Sequence, residues 1–324
     1  MRMNRWGRAM RFKKKIRLIK DFIHARYFGG KHPLLLDLMI NSSCNFDCIY
    51  CNMKKFGEDM QKERVLEIIE KMHRHCAFLF LSGGEPLLHP DFEEIVRSIK
   101  KYDGLFLTII TNGSLICQKI ETLKEVDHIE VSLDGPPEAQ NVTRKKNSHD
   151  AIIEGIKLLR EKGKKTSINV VLTKYNINKL DYLFDLAERY GISHITPLPP
   201  NNATLMDKKK LNDILPSKRE MKEAMDNIIN SKNRYKCSLS NQTLHHIAMT
   251  YPSFRYKKNC KILNYVYAID VRGKLQMCCT ERTECSTYRK PKKQYCHTCA
   301  NIINLESANL RNFIRGRELL LKSR

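Results

Sequence analysis

Between residues 34 and 196, short apolar runs alternate with segments of helical periodicity, and no other feature of the 324-residue chain constrains its fold as strongly. The runs are LLLDLMIN (34–41), AFLFLS (77–82), LFLTIIT (105–111), HIEVSL (128–133), INVVL (168–172) and ISHIT (192–196). Strands that are apolar almost throughout suit a parallel sheet covered on both faces. Helices are expected over 60–74, after the HPDF turn at 89–92, and over 115–124, 149–162 and 178–190. About six such units imply an α/β fold built on a partial (β/α)6 TIM-like barrel. The chemistry of such a barrel lies at the C-terminal ends of its strands.

The series stops near PLPPNN (197–202), and a polar, Lys-rich, mostly helical stretch follows to about residue 236. Four regions are expected: a basic segment (1–33), the barrel (34–200), a helical bridge (201–250) and a small cysteine-rich domain (251–324). A 42% hydrophobic content suffices for a sizeable core, and the regular apolar segments exclude disorder for most of the chain. No uncharged apolar run approaches the ~18–20 residues of a membrane span. The basic N-terminus lacks the apolar stretch and cleavage site of a secretory signal, so a cytoplasmic protein is expected.

In that compartment the twelve cysteines read as metal ligands or buried thiols, not disulfides. Cys76, Cys117 and Cys237 stand alone and read as small core residues. Cys44, Cys48 and Cys51 form a tight C-x3-C-x2-C group just after the first strand. A short loop can wrap three thiolates around a [4Fe–4S] cube, which normally takes four, leaving one iron open to a small molecule. A zinc site competes with this reading, although structural zinc wants four closed ligands and no fourth Cys or His lies close by.

The cysteine loop, with Tyr50 as the aromatic before its last cysteine, resembles the signature of the radical S-adenosylmethionine (radical SAM) superfamily. Later segments match that family in order. SGGEPLL follows the second strand, with Gly83, Gly84, Glu85 and Pro86 in the place of the family's GGEP motif. TNGS (111–114) ends the third strand, and SLDGPPEAQNVTR, with Arg144 downstream, ends the fourth. The resemblance covers roughly residues 34–200. It implies that Gly83 and Gly84 let the backbone approach S-adenosylmethionine (SAM) closely, while nearby carbonyls and Glu85 favour its amino group. Ser132 would bond the methionine carboxylate or the ribose, and Asp134 would hold the same region or fix the turn. Arg144 would meet the carboxylate, Tyr50 would pack near the adenine or shield the cluster, and Asn112 would order the strand-end loop or touch cofactor.

The implied activity is reductive cleavage of SAM at a reduced [4Fe–4S] cluster, fed by a donor such as ferredoxin or flavodoxin. The resulting 5′-deoxyadenosyl radical would modify an unactivated carbon of a peptide, lipid or small metabolite. Near the C-terminus, Cys260, Gly273 and Cys278 resemble the opening of the auxiliary-cluster extension of the SPASM and Twitch subgroups. With Cys296 and Cys299 of CHTC they would supply four ligands to an auxiliary [4Fe–4S] cluster, in a shorter, Twitch-like module. A four-cysteine zinc site is the alternative, and Cys279 and Cys285 are substitute ligands or bystanders. Between Cys260 and Cys278, YVYAIDVRGKLQM has the look of a β-hairpin turning at Arg-Gly.

The formal charge of +23, from 58 Lys/Arg against 35 Asp/Glu, reads first as a solvated surface. Residues 1–28 are more pointed, with Phe12, Ile16, Ile19 and Ile23 at helical spacing beside Arg8, Arg11, Lys14, Lys15 and Arg17. That pattern suits an amphipathic helix in peripheral contact with a membrane. No RNA-binding module is recognisable, which disfavours nucleic acid as partner. Two rival readings remain at this point: a zinc-binding, nucleic-acid-contacting protein without enzymatic activity, and a radical SAM enzyme acting on RNA.

Overall fold

The computed structural model describes residues 33–53, 57–102, 104–199, 212–231, 236–252 and 266–276. Eight strands form one sheet: β1 (Leu35–Asn41), β2 (Phe78–Gly83), β3 (Phe106–Thr111), β4 (His128–Ser132), β5 (Thr166–Val171), β6 (Ile195–Leu198), β7 (Val266–Ile269) and β8 (Leu275–Gln276). Their spatial order is β6-β5-β4-β3-β2-β1-β7-β8. The first six lie side by side in chain order, every pair parallel, and β7 adds parallel to β1 on its other edge. Only β8, which returns antiparallel to β7, breaks the pattern. Seven parallel strands thus make the half-barrel.

Strand alternation sorts side chains onto two faces. Leu36, Leu38 and Ile40 of β1, Leu79 and Leu81 of β2, Leu107 and Ile109 of β3, and Ile168 and Val170 of β5 join the main core beneath the helices. The intervening residues face the lumen. Two of the covering helices are α1 (Lys62–Met72) and α2 (Phe92–Lys100), which bury Val65, Ile68, Ile69 and Met72, and Phe92, Ile95, Val96 and Ile99. In each the buried positions recur three and four apart, as one face of a helix requires. Short α3 (Ile120–Leu123) and α4 (Pro137–Thr143) precede α5 (His149–Glu161) and α6 (Leu180–Tyr190). Gly191, at φ 65°, gives α6 its left-handed stop.

Beyond the barrel, α7 (Lys218–Asn230) opens with a capping box between Ser217 and Glu220, and α8 (Asn241–Thr250) with Ser240 as its cap. Met221, Met225, Leu244 and Ile247 tie both helices into the main core. Among the described residues, no helix is long and apolar enough to cross a membrane.

The expected elements are present with four differences. Over 115–124 only α3 is α-helical, the preceding residues forming turns, and Cys117 there is exposed instead of lying in the core. Cys76 and Cys237 are buried as expected. The sixth strand runs over 195–198, not 192–196, and so contains Pro197. Pro197 lacks a backbone N–H, but β6 lies at the end of the parallel array, where one missing donor is tolerated. The unexpected α4 lies within the SLDG segment, started by Pro137 in its first turn. Finally, the expected hairpin forms, its turn held by Arg272 and Lys274 backbone N–H groups that donate to the Asp270 carboxylate. It joins the barrel sheet through β1. Residues 1–28, Cys260, Cys278, Cys279, Cys285, Cys296 and Cys299 lie outside the described residues.

Candidate cluster and cofactor site at the mouth of the half-barrel

Three ties position the loop that leaves β1 with the cysteines. At its root, Asp59 accepts from the backbone N–H of Ser42 (3.0 Å) and from the Ser43 hydroxyl (2.9 Å). The loop then presses against the end of β2. Gly84 donates its N–H to the Asn41 carbonyl and Glu85 donates to that of Ser43, both at 2.8 Å. A Cβ on Gly84 would lie 2.3 Å from the Ser43 oxygen, and one on Gly83, whose φ is +147°, would lie 2.3 Å from the Asn41 oxygen. The glycine pair therefore seats one strand-end against another.

The second tie is Glu85. Its carboxylate is fully buried and accepts from the Thr111 hydroxyl (2.7 Å), the Asn112 N–H (2.6 Å) and the Leu87 N–H (3.1 Å). Burial raises this carboxyl to about 7, with those donors pulling the other way. With its oxygens engaged, the Glu85 side chain orders the ends of β2 and β3, and Pro86 begins the buried turn that follows. Asn112 continues the chain of contacts, donating to Asn45 Oδ1 at 2.8 Å and accepting from Ser114 Oγ at 2.7 Å, while Asn45 donates to Ser114 Oγ at 2.9 Å. Asn112 orders the strand-end loop, and its Nδ2 also lies 4.0 Å from Cys44 Sγ.

The third tie crosses to β4. Tyr50 donates its hydroxyl to Asp134 Oδ2 at 2.6 Å, and Arg144 Nη2 donates to Asp134 Oδ1 at 2.9 Å. The Val171 N–H donates to the same Oδ1 at 3.1 Å, and the Arg144 guanidinium lies 5.5 Å from the Tyr50 ring centre. Asp134 is fully buried, and burial holds the Tyr50 hydroxyl well above its ordinary pKa. Gln140 and Asn176 fix this carboxylate's backbone, Gln140 Oε1 accepting from the Asp134 N–H and Asn176 Nδ2 donating to its carbonyl. Sequence reasoning did not single out Asn45, Asp59, Ser114, Gln140 or Asn176; Asn45, for one, joins segments far apart in the chain, bonding Ser114 69 residues on and Lys145 100 residues on.

Three polar groups stay open beside these ties. Among the described residues Arg144 Nε and Asn41 Oδ1 are buried without a hydrogen-bond partner, and the Ser132 hydroxyl at the end of β4 has none. A carboxylate or ribose hydroxyl would satisfy Arg144 and Ser132, and an N–H or O–H donor would satisfy Asn41. Of the cysteines, Cys44 and Cys48 are half-buried and Cys51 is exposed. Burial pushes the Cys48 thiol up to about 12, although the Arg144 charge lowers it, and burial also raises Cys44. Metal must then displace protons from these sulfurs. Cys44 Sγ already accepts the Phe46 N–H at 3.4 Å, a bond that favours the thiolate. Three cysteines on one short loop, Cys44 and Cys48 half-buried and Cys51 exposed, are a donor set that suits a three-thiolate cluster with its fourth iron left to another ligand.

A parallel half-barrel with a three-cysteine loop over its mouth defines a class of SAM-dependent iron–sulfur enzymes. Residues 38–187 match the profile of the radical SAM superfamily, so the chain carries a domain of that superfamily. A probable GTP 3′,8-cyclase of Methanocella arvoryzae is 32% identical over 167 residues, 48% of this chain and 53% of the relative. The mycofactocin maturase MftC of Mycobacterium tuberculosis is 30% identical over 195 residues, 57% of this chain and 49% of the relative. The chain thus spans about half the length of these two relatives. Streptococcus suis SuiB shares the fold at 18% identity. Bound to its precursor peptide SuiA it gives a TM-score of 0.64, over 80% of this chain and 63% of SuiB; bound to S-adenosylmethionine, 0.61, over 81% and 65%.

Proposed function

We propose that this chain is a radical SAM enzyme that modifies a peptide. The observation that carries the reading is the Cys44–Cys51 loop, pinned over the lumen at Asp59, at the glycine pair and at Asp134. Cys44, Cys48 and Cys51 would each ligate one iron of a [4Fe–4S] cluster. Arg144 Nε and the Ser132 hydroxyl would meet the carboxylate and ribose of SAM. A [4Fe–4S] cluster held by these cysteines, reduced by a ferredoxin- or flavodoxin-type donor, would supply the one-electron reduction of SAM that initiates radical chemistry on the substrate. The protein's part is orientation and exclusion of water. Tyr50, packed beneath the Arg144 charge with its hydroxyl spent on Asp134, shields the cysteine loop from below. The peptide class is supported by the maturase relative and by the fold shared with SuiB.

The same reading gives Cys260, Cys278, Cys296 and Cys299 to an auxiliary [4Fe–4S] cluster of the Twitch type, serving substrate binding or electron transfer. Residues 1–28 would rest on a membrane surface. Anaerobic reconstitution tests the assignments together. About eight iron per chain, falling to about four in a Cys44/Cys48/Cys51→Ala triple variant, is expected. Dithionite should yield 5′-deoxyadenosine from SAM in the parent chain and none in the variant. Iron-free protein, or deoxyadenosine that survives the triple substitution, would overturn the reading.

A further inference from the structure

The lumen holds a second set of polar groups that the cysteine loop does not use. Strand alternation turns Asp37 of β1, Glu130 of β4 and Asn169 of β5 away from the helix-side core, each keeping partial exposure. Asp37 Oδ1 accepts the Ser82 hydroxyl at 2.5 Å, and the Asn169 side chain lies close enough to Glu130 to oppose the rise that burial gives its carboxyl. Glu130 senses the charge of Asp37, and among the described residues no Lys or Arg bears on either one. Polar atoms beside them have been left without partners: Asn169 Oδ1, and the hydroxyls of Ser167 and Thr108. Ser167 and Thr108 are both fully buried, and Ser167 is Glu130's neighbour in register on β5.

In a chain of net charge +23, two inward carboxylates that have no cation beside them among the described residues call for one from outside. The groups on offer are two carboxylates and an amide oxygen, which accept, two hydroxyls able to play either role, and the His128 ring two residues before Glu130 on the same face of β4, whose nitrogens are unpartnered and which burial keeps neutral, pushed down to about 3. No three carboxylate, imidazole or thiol groups converge on one point among the described residues, which disfavours a metal ion. An ammonium group, with three N–H donors and a single charge, matches the set. We infer that the half-barrel lumen contains a subsite for a substrate bearing a protonated primary amine, seated between Asp37 and Glu130 with Asn169 Oδ1 as third acceptor. The inference builds on the radical SAM reading and narrows its substrate. A lysine side chain or peptide N-terminus fits, whereas a nucleoside triphosphate would bring its own negative charge against the two carboxylates. Protonation agrees: burial lifts Asp37 to about 6 and Glu130 to about 7, so the empty lumen partly neutralises itself, and an arriving ammonium would expel that proton.

Calorimetry on the full reconstituted chain near neutral pH tests this, with cadaverine as the probe, the uncharged diol of equal chain length as its control, and buffers of differing ionisation heat. Cadaverine should bind with release of protons, the diol should not bind, and Asp37→Asn with Glu130→Gln should weaken cadaverine by at least about tenfold. Each single substitution, nearly isosteric, should weaken it by a smaller factor and keeps the test open if the double variant folds poorly. Equal binding of diol and cadaverine, no binding of cadaverine, or undiminished affinity in the folded variants would overturn the inference. Deoxyadenosine formation from SAM, measured on the same samples, separates the two readings. If it occurs while cadaverine fails, only the amine subsite falls; if it never occurs, the enzyme reading falls and the cation subsite stands or falls on the calorimetry.

Discussion

Replacing Asp134 with Asn tests the tie between the cysteine loop and the barrel. Asp134 is fully buried and accepts from Tyr50, Arg144 and Val171; Arg144 is itself 9% exposed. The amide keeps the volume and one acceptor but removes the only counter-charge hydrogen-bonded to Arg144 among the described residues. Breaking a buried ion pair from one side costs about 3–5 kcal/mol, because the remaining charge stays desolvated. That is a large part of the ~5–15 kcal/mol available to a typical domain. The assay is anaerobic urea unfolding of Asp134→Asn, Arg144→Met and the double variant. The two single losses should exceed the double loss by about 2–3 kcal/mol, since removing both charges together strands neither. Iron retention should fall in Asp134→Asn as Tyr50 is released. A single loss below about 1 kcal/mol, or losses that simply add, would refute the view that this pair anchors the loop.

Glu130→Gln should stabilise the protein at high pH only. The carboxyl's folded pKa of about 7 lies above its ordinary 4.5, so burial penalises the charged form, and stability falls as pH rises through that window. The variant should gain about 2 kcal/mol at pH ~8.5, discounted for partial exposure, and nothing at pH ~4; a pH-independent gain in urea melts would contradict this. Gly84→Ala should destabilise by about 2–4 kcal/mol and strip iron from the loop, because its Cβ would enter the Ser43 carbonyl. Gly163→Ala, at φ +65° with nothing within 4 Å, should cost only about 1 kcal/mol and leave iron content unchanged.

The barrel was legible because its strands carry the signal in consecutive residues. LLDLMIN or SINVV needs no distant partner to be read as a buried strand, and the buried faces of α1 and α2 repeat at helical spacing. Where the reading slipped, a local rule met a tertiary exception. Pro197 ends a central strand but not one at the end of the parallel array. The place of β7 beside β1 could not be foreseen, because pairing residues more than two hundred positions apart leaves no trace in either segment. The motif residues were found, but not their contacts within the protein: Gly84 and the Glu85 side chain fasten the loop, since their partners Ser43 and Thr111 come from neighbouring strand ends.

That redistribution gives the site its logic. Tyr50, Glu85, Asn112 and Asp134 spend their polar atoms on one another and on strand ends, which leaves a cysteine loop held from three sides before any ligand arrives. Preorganisation of this kind matters most where a radical must be aimed, since a loosely held cofactor would react with solvent or with the protein. Two sets of open atoms are chemically distinct: Arg144 Nε and the Ser132 hydroxyl at the mouth, which present donors, and Asp37, Glu130 and Asn169 Oδ1 deeper in the lumen, which present acceptors. In the proposed arrangement the cofactor's carboxylate would meet the first set and a substrate amine the second. Because the cofactor also carries an ammonium, the cysteine loop, and not charge alone, is what would hold it at the mouth.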